Sequence, residues 1–328
     1  MRAKRDKRCH RNKKEGIRKH SMKMKNIQMM KYFDFTRDVI EALDNGKPVV
    51  ALESTLISHG FPFPDNLKVA GEMEEIIRGY GVIPATIAII NGKIKVGLTQ
   101  NELEFMATSK EIAKASRRDL AAIISKGLNG ATTVAATMII AEMAGIRIFA
   151  TGGIGGVHRG AEQNFDISAD LQELAKTSVA VVCSGAKAIL DLSLTREYLE
   201  TMGIPVIGFK CEEMPAFYCR ESEFNVDYSV EDEVEAANII RIIEDLGLEG
   251  GLLISNPVPK EYAISMEYIN KIIEEAMKEA KKKDIKGKEL TPYLLNKVKD
   301  LTGGKSLLAN IALVKDNARV AAMIANVL

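Results

Sequence analysis

The sequence predicts an α/β protein with a mainly parallel sheet, helices on both faces of that sheet, and a single domain. Three observations lead to this fold class. From residue 32 onward, short apolar runs alternate with segments of helical periodicity, as in parallel sheets. No linker-like stretch divides this part, and it holds no internal repeat. The 328 residues, 46% of them hydrophobic, are enough for one large core.

The first half of the domain is predicted to combine helices, a strand and a hairpin. "FTRDVIEALDNG" is predicted as a helix, "PVVALEST" as a buried strand, and "LKVAGEMEEIIRGYG" as a helix that Asp65 or Asn66 caps. "IPATIAII" and "KIKVGL" flank an Asn-Gly pair, which predicts a β-hairpin. Thr99 opens the next helix and Glu102 follows three residues later, which predicts a capping box.

The second half continues the alternation. The predicted helices are "ATTVAATMIIAEMAG", "SADLQELAKT", "AKAILDLSLTREYLETMG" and "SVEDEVEAANIIRIIEDLG". The predicted strands between them are "IRIFATGG", "SVAVVCSG", "IPVIGFK" and "GGLLISNPVP". Residues 266–328 are predicted to be mostly helical. The stretch "DLTGGKS" is not a phosphate-binding loop, because Lys299 occupies the position of its first glycine, and "TGGKS" is predicted to begin a helix.

Charge separates a basic N-terminal segment from the rest of the chain. Residues 1–31 hold thirteen Lys/Arg and two acidic residues, a net charge of +11, and since the whole chain is +1 the remainder carries −10. We interpret residues 1–31 as a disordered extension and residues 32–328 as the domain. The alternative is a nucleic-acid-binding arm, although the segment has no aromatic residue to stack on bases.

The composition favours a cytoplasmic protein that does not contact membranes. No apolar run is long enough to cross a bilayer, and no apolar segment follows the basic N-terminus as in a signal peptide. The four cysteines are scattered and form no Cys-x-x-Cys pair, which indicates neither a zinc site nor a disulfide framework. Reduced thiols are therefore expected.

Two strand ends carry candidate catalytic groups. Glu53 ends an apolar strand, so partial desolvation is expected to raise its pKa and suit it to act as a general acid. The alternative is a structural hydrogen-bond partner for nearby backbone. Lys187 follows a buried strand and is predicted to lie in the first turn of a helix among apolar neighbours. Both features favour an uncharged, nucleophilic amine of the Schiff-base type, whereas the alternative is a lysine that turns to solvent.

The run "TGGIGGVHRGAEQNFDISAD", residues 151–170, suggests a binding loop. Its glycines are expected to let backbone N–H groups approach an anion or a sugar. Asp166 and Asp170 offer oxygen ligands for a hard divalent cation, with Ser168 as a helix cap between them. A cap followed by an acid in the first helical turn explains the same pattern. His158 alone is more often a structural histidine.

Several long motifs resemble those of one family, the pseudouridine-5′-phosphate glycosidases, also called indigoidine-synthase-A-like proteins. The resemblance runs from about residue 35 to the C-terminus, in the family's order and spacing. The motifs are "ALESTLISHGFPFPDN", "KASRRDLA", "GATTVAATMIIAEMAGI", "FATGGIGGVHRGAEQNFDISADL", "VVCSGAKAILDL", "FYCRESEF", "ISNPVP" and "LTGGKSLLANIALVKDNARVAA".

The resemblance implies a three-layer α/β/α fold, usually a homotrimer, and a reversible cleavage of pseudouridine 5′-phosphate to uracil and ribose 5-phosphate. It implies that Lys187 is the nucleophile that forms an imine with the opened ribose, and that Glu53 is the proton donor. It further implies a divalent metal such as Mn²⁺ on Asp166. The residues expected to contact substrate are Lys114, Val134, Thr151, His158, Ser168, Ala169, Asp170 and Asn310.

Two other hypotheses about the function remain open. One is a different enzyme on the same scaffold, either another Schiff-base phosphosugar lyase or a C-glycosidase for another base. The other is an RNA-binding protein that acts through the basic arm, although nucleic acid is not the expected partner.

Overall fold

The computed structural model describes residues 29–285 and 290–328, and all elements named here belong to those ranges. The predicted disordered arm falls almost entirely on residues 1–28, outside the described residues. The strands are β1 (Phe33–Phe35), β2 (Val49–Glu53), β3 (Ile83–Ile90), β4 (Lys93–Val96), β5 (Ala113–Ala115), β6 (Gly130–Thr132), β7 (Ile148–Ala150), β8 (Val157–His158), β9 (Ala180–Cys183), β10 (Leu190–Asp191), β11 (Val206–Phe209), β12 (Tyr228–Val230) and β13 (Leu252–Ser255).

The α-helices follow the strands in the predicted alternation. They are α1 (Arg37–Asp44), α2 (Asp65–Gly79), α3 (Gln100–Thr108), α4 (Leu120–Ser125), α5 (Val134–Ala144), α6 (Ala161–Asn164), α7 (Ala169–Leu174), α8 (Leu192–Thr201), α9 (Glu233–Asp245), α10 (Met266–Lys282), α11 (Leu290–Leu301) and α12 (Lys305–Val327). A π-helical turn, Leu56–Gly60, follows β2.

The central sheet is mainly parallel and has helices on both faces, so the three-layer α/β/α fold is confirmed. Its strand order is β1-β4-β3-β2-β7-β9-β13-β11-β12, with β6 paired to β3 and β5 paired to β6. Strand β3 runs antiparallel to β4 and β6, and the other pairs of this sheet are parallel. Helix α12 packs against β2, β7 and β9, whereas α5 packs against β2, β3 and β7. Every residue of β2, β9 and β13 is buried, because helices cover both faces of the sheet.

Local sequence signals specify several elements correctly. The hairpin joins β3 to β4 through Asn91 and Gly92, both with positive φ. Thr99 and Glu102 form the predicted capping box at the start of α3. Helix α12 begins at Lys305, directly after Gly304.

One predicted cap is wrong. Helix α2 begins at Asp65 itself, after Pro64, and no side-chain cap is present. Asn66 instead donates hydrogen bonds to the carbonyl oxygens of Ile57 (2.8 Å) and Ala107 (2.9 Å). Its amide therefore fixes the turn after β2 rather than the helix end.

Among the described residues, no helix combines the length and apolar character that a membrane span needs.

Candidate active site

Glu53 and Thr151 lie side by side at the carboxyl end of the parallel sheet. Glu53 is the last residue of β2 and is only 5% exposed, and Thr151 follows the neighbouring strand β7. The Thr151 hydroxyl donates a hydrogen bond to Oε1 of Glu53. Burial raises the pKa of Glu53 above its ordinary value, while Lys187 and the Thr151 hydrogen bond oppose the shift. The expected desolvation of this carboxyl is therefore present.

Lys187 reaches the same place from a loop, and its predicted position in a helix is wrong. The loop follows β9, and the next helix, α8, begins only at Leu192 with Asp191 as its cap. The backbone N–H of Lys187 instead donates to the carbonyl of Ile154 (3.0 Å), which pins the loop to the glycine-rich segment. Lys187 therefore does not lie at a helix N-terminus, and its half-buried side chain lines one pocket together with Glu53.

One pocket collects five of the residues predicted for the site. Lys114 comes from β5, and Asn310 comes from α12. The pocket is also lined by the π-helical turn after β2, by Phe217, and by Thr291, Pro292 and Leu295 around the start of α11. The five predicted residues that line it are Glu53, Lys114, Thr151, Lys187 and Asn310.

Two buried polar atoms of this pocket have no hydrogen-bond partner among the described residues. They are Nε2 of His59 and Oδ1 of Asn310. Asn310 is 6% exposed, so its unpaired oxygen is costly unless a ligand or water meets it. Burial, together with the nearby charge of Lys114, lowers the pKa of His59 and favours its neutral imidazole. His59 lies within the motif "ALESTLISHGFPFPDN", and no role is predicted for it from the sequence.

Asp170 joins the glycine-rich segment to the start of α5. Its Oδ1 accepts from the backbone N–H of Ala135 (2.9 Å) and its Oδ2 from that of Gly155 (2.8 Å). The buried residue Val134 begins α5 beside this contact. Ser168 is the predicted cap of α7 and accepts from the N–H of Asp170, while Ala169 is exposed at the first helical position. Asp170 therefore anchors two backbone segments.

The glycines of the 151–170 run permit close packing of the protein on itself. A Cβ on Gly153 would lie 2.6 Å from the ring of Phe217, and one on Gly156 would lie 2.4 Å from Oγ1 of Thr195. The expected approach of a backbone N–H to an anion occurs at Gly155, and the anion is the carboxylate of Asp170. Packing of the protein on itself thus explains the glycines at these positions, and Gly153 also lines the pocket.

Asp166 and His158 lie next to each other beside the pocket. The backbone N–H of His158 donates to the carbonyl of Asp166 (3.0 Å). Burial lowers the pKa of His158, and the Asp166 carboxylate opposes that shift. Among the described residues, no group of three or more His, Cys, Asp or Glu side chains converges on a point that could hold a metal ion. Asp166 and His158 therefore fit only a cation that keeps most of its water ligands.

A second, wider cavity is also lined by Lys187. Its empty volume is ≈ 1420 Å³, compared with ≈ 500 Å³ for the narrow pocket. Polar groups that line it include Arg159, Asp191, Glu213 and Asn270. The Lys187 side chain is therefore accessible from both cavities.

A pocket that raises the pKa of a carboxyl group beside a lysine amine is equipped for proton transfer and nucleophilic attack, so the fold and the pocket define an α/β enzyme. The chain belongs to the indigoidine synthase A like protein family, which its residues 38–327 match. The resemblance drawn from the motifs is therefore confirmed.

Curated relatives match this chain along nearly their whole length. The pseudouridine-5′-phosphate glycosidase of Caldanaerobacter subterraneus subsp. tengcongensis is 66% identical over 297 residues, which are 90% of this chain and 97% of that protein. The protein of the same name from Geobacillus kaustophilus is 60% identical over 297 residues, which are 90% of this chain and 99% of that protein.

Two solved structures share the fold at 38% sequence identity. The prealnumycin C-glycosynthase AlnA, in complex with ribulose 5-phosphate, has a TM-score of 0.84, and the match covers 90% of this chain and 96% of that one. An indigoidine synthase A-like protein from Thermotoga maritima has a TM-score of 0.80, with 85% and 92% covered.

Proposed function

We propose that this protein reversibly cleaves pseudouridine 5′-phosphate to uracil and ribose 5-phosphate. The observation that carries the proposal is the pocket shared by Lys187 and Glu53, a buried carboxyl group of raised pKa. The relatives named pseudouridine-5′-phosphate glycosidase support this substrate. The C-glycosynthase in complex with ribulose 5-phosphate supports a phosphorylated sugar as ligand.

The bond to be broken joins two carbon atoms, which explains the need for an amine. Ordinary glycoside hydrolysis protonates a leaving oxygen, and a C-linked base offers none. In the proposed reaction, Nζ of Lys187 attacks the anomeric carbon C1′, and the bond from C1′ to the ring oxygen breaks. The nitrogen loses one proton and the released ring oxygen gains one, which makes it a hydroxyl group. The nitrogen lone pair then forms the imine C1′=N as the C1′–C5 bond to uracil breaks.

Glu53 supplies the proton that the departing base requires. Burial raises its pKa and so favours the protonated carboxyl group, and the proton goes to C5 of uracil. Water then hydrolyses the imine, which frees the Lys187 amine and ribose 5-phosphate.

The remaining predicted residues are proposed to hold the substrate. Lys114 and the N-terminus of α5, at Val134, favour the negatively charged phosphate. The other proposed contacts are made by Thr151, His158, Ser168, Ala169, Asp170 and Asn310. The unpartnered oxygen of Asn310 supports its place among them.

Asp166, with His158 beside it, is proposed to hold a divalent cation, Mn²⁺ in the first instance. The cation would keep water ligands and supply positive charge near the sugar phosphate. Homotrimeric assembly is proposed on the family resemblance, and a cytoplasmic location is proposed on the composition.

Borohydride trapping tests the proposal. Incubation with ribose 5-phosphate and borohydride should reduce the imine to a stable amine, and peptide mapping should find the added sugar phosphate on Lys187. Lys187→Ala should give no adduct. An adduct on another lysine, or none in the wild type, would refute the covalent route. A panel of C- and N-linked ribonucleotides, assayed for released base, separates this substrate from those of related lyases.

A further inference from the structure

A group of buried polar side chains lies behind the pocket, and the proposed reaction assigns none of them a role. Asn317 is fully buried on α12, and Asn256, 5% exposed, follows β13. Ser184, also fully buried, begins the loop that leads from β9 to Lys187. Hydrogen bonds join these three side chains at the carboxyl ends of the central strands, where ligands bind in parallel sheets.

The contacts of Asn256 fix the orientation of the Asn317 amide. Nδ2 of Asn256 donates to Oδ1 of Asn317 (3.0 Å) and to Oδ2 of Asp316 (2.8 Å). Because Oδ1 of Asn317 is turned toward Asn256, its Nδ2 points the other way. There it donates to the carbonyl oxygen of Thr151 (2.8 Å) and to Oγ of Ser184 (3.2 Å).

These two acceptors belong to the segments that carry the reacting groups. Thr151 presents its hydroxyl to the Glu53 carboxyl, and Ser184 is three residues before Lys187. The backbone N–H of Ser184 also donates to the carbonyl of Gly152 (2.9 Å), so the two segments touch directly beside the amide. One side chain therefore ties both segments to the rigid helix α12.

We propose that Asn317 is a positioning residue for this site, which acts on Glu53 by holding Thr151 and on Lys187 by holding the Ser184 segment. The effect of Asn317 on turnover rests on the proposed function, whereas its effect on the pKa of Glu53 is measurable without substrate.

The surroundings of Glu53 make that effect specific. The charged groups among the described residues that shift the pKa of Glu53 are Lys187, Asp170 and Lys114. None of them lies on α12, so replacing Asn317 leaves their charges in place. The Thr151 hydrogen bond lowers the pKa of Glu53 because it stabilises the carboxylate. A Thr151 backbone released from Asn317 weakens that bond, and the pKa of Glu53 then rises further.

Infrared titration of the protonated carboxyl band, assigned by its loss in Glu53→Gln, measures this effect. We expect Asn317→Ala to raise the titration midpoint of Glu53 by about one unit, the worth of a hydrogen bond to a charged group. Thr151→Val should raise it similarly, and the double variant should add nothing beyond Thr151→Val. Ile324→Val is the control, because Ile324 is fully buried on α12 two turns further along. It should lose some stability and leave the midpoint unchanged.

If Asn317→Ala does not fold, Asn256→Ala tests the same point, since it frees the Asn317 amide to turn and should shift the midpoint in the same direction. An unchanged midpoint in the variant that folds, or a shift that persists in the Thr151→Val background, overturns the inference. A chain that shows the shift without releasing uracil would refute the proposed function and leave the positioning role standing. Uracil release without the shift would refute the positioning role and leave the proposed function standing.

Discussion

Replacing Gly155 with alanine should separate a packing role for the glycine-rich run from a ligand-binding one. A Cβ at this position would lie 2.2 Å from Oγ of Ser168, 2.6 Å from Cβ of Ser168 and 2.8 Å from Oδ2 of Asp170. Rotation of the Ser168 side chain moves its Oγ but not its Cβ. The backbone at position 155 must therefore shift.

The expected cost has two parts. Overpacking of a tight site costs about 1–3 kcal/mol. The shift also breaks the hydrogen bond from the Gly155 N–H to the Asp170 carboxylate, and a bond to a charged group contributes about 1.5–3 kcal/mol. Gly155→Ala should therefore lower the free energy of unfolding by about 2.5–6 kcal/mol. For a chain of this size, that lowers Tm by roughly 4–9 °C.

Gly71→Ala is the matched control. Gly71 lies inside α2 without a positive φ, and no atom lies within 4 Å of the Cβ that it would gain. Alanine there should raise the free energy of unfolding by about 0.5–1 kcal/mol, because glycine is the poorer helix former. Urea unfolding followed by circular dichroism measures both variants. If Gly155→Ala were as stable as the wild type, the loop would have room and the packing account would be wrong.

Other predictions concern the chemistry. Glu53→Gln should lower turnover by about 10²–10⁴-fold, yet still form the borohydride-trapped adduct with ribose 5-phosphate; loss of the adduct would contradict a pure proton-donor role. Since burial raises the pKa of Glu53, kcat/KM should fall as pH rises through that pKa, where the proton is lost; a rate that keeps rising there would exclude Glu53 as the acid. His59→Ala and Asn310→Ala should each lower kcat/KM about tenfold, by loss of one hydrogen bond; unchanged kinetics would place the ligand elsewhere. Asp166→Asn should weaken Mn²⁺ binding in calorimetry, and unaltered binding would move the cation site.

Much of the architecture could be predicted because its signals are local. The capping box at Thr99, the Asn-Gly hairpin and the Ser168 cap each depend on residues within a few positions of one another. The burial of Glu53 was also predictable, because an apolar strand is buried and the acid that ends it is buried with it.

The setting of Lys187 could not be predicted in this way. The stretch after β9 has helix-forming residues, yet it bonds to the backbone at Ile154, which precedes it by 33 residues. Tertiary contacts thus override local preference there. The role of Asn317 could not be predicted from the sequence for the same reason, since its partners Thr151 and Ser184 become its neighbours only when β7 and β9 pair.

The dispersal of the pocket along the chain has a consequence for how activity is lost. Glu53 and Asn310 are separated by more than 250 residues, and the strand pairings between β2, β7 and β9 bring the reacting groups together. No proteolytic fragment that lacks one of these strands can retain the constellation. Turnover should therefore be lost whenever one of these strand pairings opens, so that an activity assay reports on the integrity of the central sheet.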